Sequence, residues 1–85
     1  DMGQGVYLVN EEEHGWDCTK GIRGTWTDGN NWKFEIEREA GTNWTFKFVI
    51  NNYDTPASQA IRWEANPNRT YTFTVSETVT CNWQA

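Results

Sequence analysis

One histidine, one methionine, two prolines and two cysteines are all that this 85-residue chain contains of those types. With His14 alone, no Ser-His-Asp set is plausible and a four-ligand zinc site lacks donors. Phosphate-binding loops and metal signatures are missing as well, so no catalytic residue, metal or cofactor is expected. Positive charge is scarce: 7 Lys and Arg stand against 12 Asp and Glu, a net charge of −5. That balance argues against nucleic acid and anionic membrane, which need a positive field. No stretch approaches the ~18 apolar residues that cross a bilayer. The chain opens at Asp1 directly on what reads as domain sequence, so a module of a larger, multidomain protein is expected. Cys18 and Cys81 admit a bridge worth roughly 3–5 kcal/mol in the chain-entropy model. They equally admit two free thiols, both buried or one exposed, and two cysteines fix no compartment.

What the chain has in excess is tryptophan, six in all. Its length implies one small domain over residues 1–85, burying only ~60–65% of its extended surface. Large rings that bury ~150–250 Å² each can build such a core. A domain this thin does not hide six indoles, and surplus exposed rings mark a recognition surface.

Alternation, not helical periodicity, runs through the sequence. Gly5 to Asn10 reads as a strand. Trp32, Phe34 and Ile36 alternate with charged residues, as Trp44, Phe46, Phe48 and Ile50 do with Thr45, Lys47 and Val49. Gln59–Trp63, the Tyr71-Phe73-Val75 series and the Val79-Cys81-Trp83 series follow, with turns between. Strands recurring about every 10 residues predict an all-β fold, an immunoglobulin-like antiparallel sandwich of about 6–7 strands. No helix is expected, and Glu11-Glu12-Glu13 reads as a solvated loop. Trp32, Trp44 and Trp83 fall in phase with their strands and are assigned to the core.

Two tryptophans stand apart. Trp16 follows the glutamate run and Gly15. Trp63 lies in Arg62-Trp63-Glu64-Ala65-Asn66-Pro67-Asn68-Arg69, where a flat ring meets carboxylate, amide and guanidinium groups beside a proline turn. A sugar presents a C–H face for stacking and hydroxyls for hydrogen bonds, which such a surface suits. The plainer alternatives are Trp16 folding over one end of the sandwich, Lys47 as a solvated strand charge, Glu64 solvating its loop, and Asn68 capping its own turn.

These segments together resemble the starch-binding domain of the family 20 carbohydrate-binding modules, found at the ends of glucoamylases, amylases and related enzymes. The match runs in order through Met2-Gly3-Gln4-Gly5-Val6-Tyr7-Leu8-Val9, His14-Gly15-Trp16-Asp17, Asn31-Trp32, Phe46-Lys47-Phe48-Val49, Trp63-Glu64-Ala65-Asn66-Pro67-Asn68-Arg69-Thr70-Tyr71-Thr72 and Trp83. Trp-Glu-x-x-Pro-Asn-Arg is its specific part. Asn10 replaces a usual glycine, Glu11 to Glu13 alter the loop before Trp16, and the family's strand before the Gly-Gln turn has no counterpart after Asp1.

The resemblance implies an α-glucan partner and a carbohydrate site of Trp16 and Trp63 with Lys47, Glu64 and Asn68. Two rings at an angle suit adjacent glucose units of a curved α-1,4 chain. A second family site uses two tyrosines; Met2 stands at the first and Trp26, six residues before Trp32, at the second, so a weak or absent second site is expected. Asn43 and Asn68 head glycosylation sequons, and a glycan on Asn68 would obstruct the site. The expectation is a non-catalytic module, secreted or extracellular, that targets an attached enzyme to starch. The alternatives are a glycogen-binding domain of an intracellular regulator or phosphatase, and a protein-interaction sandwich.

Overall fold

The organising element is one long strand. In the computed structural model, which describes residues 3–85, Asn43–Asn52 forms the ten-residue β5. It pairs antiparallel along its length with β1, Gln4–Asn10, from Gln4 opposite Asn52 to Asn10 opposite Phe46. β2, Ile22–Arg23, adds to the far side of β1. The other edge of β5 is shared: β6, Arg62–Trp63, takes Val49 and Ile50, while β7, Arg69–Thr72, takes Asn43 to Phe46. β3, Thr25–Asp28, and β4, Asn31–Lys33, make a separate antiparallel hairpin. The result is an all-β antiparallel sandwich, with seven strands among the described residues, as the alternation implies.

Because directly opposed residues share a face, the register sorts the side chains. Leu8, Trp44 and Phe46 are buried on one side, where Ile22, Phe34, Ile36, Phe48, Tyr71 and Phe73 pack against them. Tyr7, Val9 and Val49 are buried on the other, with Cys18. Both faces of the central sheet are therefore apolar, and the second carries Trp16, Ala60 and Trp63 as partly buried neighbours.

Several expected elements are shorter than the alternation suggests. Phe34 and Ile36 pack on the sheet, yet the ladder ends at Lys33. Phe73 also packs there, yet β7 stops at Thr72 and no strand forms over Val79, Cys81 and Trp83. Alternation records which side of an extended chain meets apolar surface, and it does so whether or not a neighbour supplies ladder bonds. An open groove of about 1360 Å³, lined by Phe34, Ile36, Trp44, Phe73 and Trp83 among others, separates these two segments. Gln59–Trp63 likewise reduces to β6.

The glutamate run is not a loop. Glu11–His14 makes a single helical turn, α1, because Asn10 Oδ1 accepts from Glu13 N and His14 N and three carboxylates occupy its first turn. Glu12 and Glu13 then reach β5: Glu12 Oε1 accepts from Thr45 N at 2.8 Å, and Glu13 Oε2 from the Trp44 indole at 3.1 Å. Of the tryptophans assigned to the core, Trp44 is buried against Phe73. Trp32 is half-buried beside Tyr53, and Trp83 half-buried under the Arg62 guanidinium.

Cys18 and Cys81 are free thiols, the first buried and the second exposed, which selects among the alternatives left open by the sequence. Burial also pushes the Cys18 thiol pKa up, further reducing its reactivity. A thiol reagent should therefore label one cysteine of the native protein at once and the second only in denaturant, as intact-mass measurement would show. Trp44→Ala should cost about 3–5 kcal/mol of stability, read as a lowered urea midpoint.

Candidate functional site

The site grows from the handover on the outer edge of β5. Between the residues served by β7 and those served by β6 lies Phe48, whose backbone neither strand pairs. Glu64 fills the gap. Its N donates to Phe48 O at 3.2 Å and its Oε2 accepts from Phe48 N at 3.0 Å. Arg69 binds the same carboxylate through Nε at 2.7 Å and Nη2 at 3.0 Å, and Gln84 N reaches Oε1 at 3.2 Å. Glu64 is 2% exposed, so its oxygens are committed inside the protein and do not solvate the loop. A carboxylate has about four acceptor positions, and here all are used.

The turn that follows is fastened from outside. Gln84 Nε2 donates to Ala65 O at 2.8 Å and Pro67 O at 2.9 Å, and Ala65 N returns a bond to Gln84 O at 2.9 Å. The Asn66–Pro67 peptide is cis. Asn68 follows, exposed, and among the described residues no internal hydrogen bond occupies its amide. Trp63 precedes Glu64 and lies opposite Val49, on the Tyr7–Val9–Val49 face.

Trp16 arrives at the same face from α1. Gly15 closes the helical turn at φ 58°, and Trp16 itself has φ 63°. A bulky residue in the left-handed region costs roughly 1–2 kcal/mol. Such strain persists only where surrounding contacts enforce it. Trp16 N donates to Asn10 O at 3.2 Å, and the ring leans on Trp63 with centroids 6.0 Å apart and planes at 61°. Both rings stay half-buried: each is braced by the cluster beneath it and keeps part of its surface outward.

Lys47 departs from its expected exposure. It does point away from Phe46 and Phe48, but that face is apolar too, and the residue is only 7% exposed. Its Nζ donates to Glu64 O at 3.1 Å. The structure thus gathers Trp16, Lys47, Trp63 and Glu64, with Asn68 on the adjoining turn. Trp26 is elsewhere, 56% exposed on the β3–β4 hairpin opposite Trp32, its indole N–H donating to Gly29 O at 2.8 Å. Met2 lies outside the described residues. Sequence reasoning missed the supports: Gln84, far along the chain; Asn51, which brackets the next loop through Ala57 N and Ala57 O; and Asn10 with His14. The one visible signal was the pair of asparagines at Asn51 and Asn52, typical of turn-holding side chains.

Burial pushes the Glu64 carboxyl pKa up, but the Arg69 guanidinium and the Phe48 and Gln84 N–H groups outweigh it and hold the value below 4.5. Since the folded value is the lower one, this stabilisation is complete above pH 4.5 and fades as pH falls through the folded value. Urea midpoints should drop on acidification, with a shallower drop in Glu64→Gln. Arg69→Met should cost about 3–5 kcal/mol at neutral pH by stranding a buried carboxylate, measurable by the same denaturation.

Residues 1–83 match the family described as Starch binding domain, CBM_20. A cyclomaltodextrin glucanotransferase of Thermoanaerobacterium thermosulfurigenes is 37% identical over 90 aligned residues, covering 96% of this chain but 12% of that protein. No solved structure shows a significant match. By its near-complete match, the chain belongs to the CBM_20 starch-binding domain family.

Proposed function

We propose that residues 1–85 form one non-catalytic module that binds α-1,4-glucans (starch, amylose and maltooligosaccharides) by stacking sugar rings on Trp16 and Trp63. The observation that carries this reading is the angled pair itself, 6.0 Å between centroids and 61° between planes. Successive glucose units of a curved α-1,4 chain turn relative to one another, so two tilted plates suit them. A flat β-1,4 chain favours coplanar plates. Membership of the starch-binding family supports the same substrate class.

The polar residues take different parts. Lys47 gives one N–H to Glu64 O, and an ammonium has three donors, leaving two for sugar hydroxyls. The exposed amide of Asn68 offers a donor and an acceptor together. Glu64 is the support: it fixes the backbone on which Trp63 and the turn depend. Trp26 belongs to a second, weaker contact at most, because its partner position is Met2. The acidic balance leaves a neutral polysaccharide unaffected. The match to a small part of a cyclomaltodextrin glucanotransferase supports a module that brings an attached enzyme to starch, acting outside the cell where starch is met.

A shallow two-ring site implies Kd on the order of 10 μM to 1 mM, or roughly −4 to −7 kcal/mol. Calorimetric titration with β-cyclodextrin should give one dominant site per chain. Trp63→Ala should abolish most of the heat and also the retention on an amylose column. Unchanged affinity in that variant would falsify the stacking assignment, and two equal sites would overturn the single-site reading.

A further inference from the structure

His14 is 8% exposed and has no part in sugar contact as described above. Its surroundings nonetheless tie it to Trp16. Asn10 N donates to His14 Nδ1 at 2.9 Å, while Asn10 Oδ1 accepts from His14 N at 3.1 Å and Glu13 N at 2.8 Å. Asn10 O then holds Trp16 N at 3.2 Å, and His14 O holds Asp17 N at 3.1 Å. Asn10 and His14 thus clamp each other at the root of the loop, and Trp16 hangs from that clamp in its left-handed conformation. The clamp is kept although Asn10 Nδ2 is buried without a partner, a penalty that proteins rarely leave in place without reason.

An imidazole nitrogen that accepts an N–H must carry no proton of its own, which assigns His14 the neutral form with any ring proton on Nε2. We propose that neutral His14 is a positioning residue for Trp16, and that its protonation releases the loop and weakens glucan binding on acidification. This rests on the glucan reading given above. A second proton on the ring turns Nδ1 into a donor facing the Asn10 N–H, and two donors cannot share that distance. Asn10 N must then move, and Asn10 O with it.

The charges around His14 do not remove the effect. Burial pushes its pKa down; Glu13 opposes this, while Arg38 and Lys20 add to it. On β5 the titratable residue is Lys47, which donates one bond to Glu64 O; β1 contributes no charged residue. Asp17, at the loop's far end, is bound to Thr19 N at 3.0 Å and its hydroxyl at 2.7 Å. A lowered folded value means that the neutral clamp is intact above the ordinary value of 6.5 and is lost as pH falls through the folded value.

The test is calorimetric titration of the whole chain with β-cyclodextrin at about pH 7.5 and again below the His14 midpoint, which NMR of the imidazole and indole N–H resonances locates. Affinity should weaken about 3- to 10-fold, the scale of one lost hydrogen bond. The Trp16 indole resonance should shift with the same midpoint as the His14 imidazole, while that of Trp44 stays fixed. His14→Asn, whose amide oxygen can accept from Asn10 N without titrating, should bind within about twofold of the parent at neutral pH and show a flat profile. A flat profile in the parent, a persistent slope in His14→Asn, or Trp16 and Trp44 moving together would each overturn the proposal. Should that variant not fold, a Trp16 midpoint different from that of the imidazole overturns it alone. Absence of binding at neutral pH would defeat the glucan reading, and the Trp16 and His14 midpoints would still decide the positioning role.

Discussion

The Glu64 carboxylate is the point on which the Trp63 edge of the sheet depends. β5 needs two short strands to complete one edge, and the chain between them must leave the sheet and return. That excursion leaves the backbone of Phe48 unpaired, a penalty inside a protein. Glu64 supplies bonds to both Phe48 N and Phe48 O. The charge this buries is neutralised by Arg69, which enters β7 on the far side of the turn. One residue thereby closes the ladder, fixes the ends of the turn relative to each other, and offers Lys47 a carbonyl to lean on. Trp63 is held in place because its neighbour cannot move.

The sheet has two apolar faces, and they do different work. The Leu8–Trp44–Phe46 side is packed by Ile22, Phe34, Ile36, Phe48, Tyr71 and Phe73 and borders the open groove. The Tyr7–Val9–Val49 side is covered by Cys18 and by indoles that stay half-exposed. In a small domain, apolar area that is not fully covered reduces the stabilisation available. Here that area braces the two rings from below. A ring free to rotate would lose entropy on stacking; one already pinned by packing loses less. Incomplete burial of the two rings and their bracing from beneath are the same feature.

Much of this was legible in the sequence, for physical reasons that also explain what was not. β1 is readable as a compact apolar run, Val6 to Val9, and β5 by the alternation of Trp44, Phe46, Phe48 and Ile50 with Thr45, Lys47 and Val49. Trp16 and Trp63 stood out because their neighbours are polar and turn-forming. Alternation suggests ladders beyond Lys33 and Thr72 that do not form, since Phe34, Ile36 and Phe73 alternate by contact with the sheet, without paired backbone. The rule that the face opposite Phe46 and Phe48 is wet puts Lys47 outside, and it fails for a sheet with apolar residues on both faces. Glu64 and Gln84 could not be paired at all. Their contact spans 20 residues, and a glutamate in a loop carries no mark of the backbone gap it fills.

Trp16 shows how local strain and long-range support combine. Its left-handed backbone is unfavourable in isolation, and nothing in Gly15-Trp16-Asp17 alone would select it. The Asn10–His14 clamp fixes where the loop begins, the Asp17 cap on Thr19 fixes where it ends, and Trp63 supplies a ring for the indole to rest on. With both ends set, the short span leaves the backbone few ways to bring the indole to the sheet. The cost of that conformation is borne by hydrogen bonds on either side, so the pose of the ring is inherited from residues that need touch no ligand. Altering those residues would change the angle between the two rings without removing either ring.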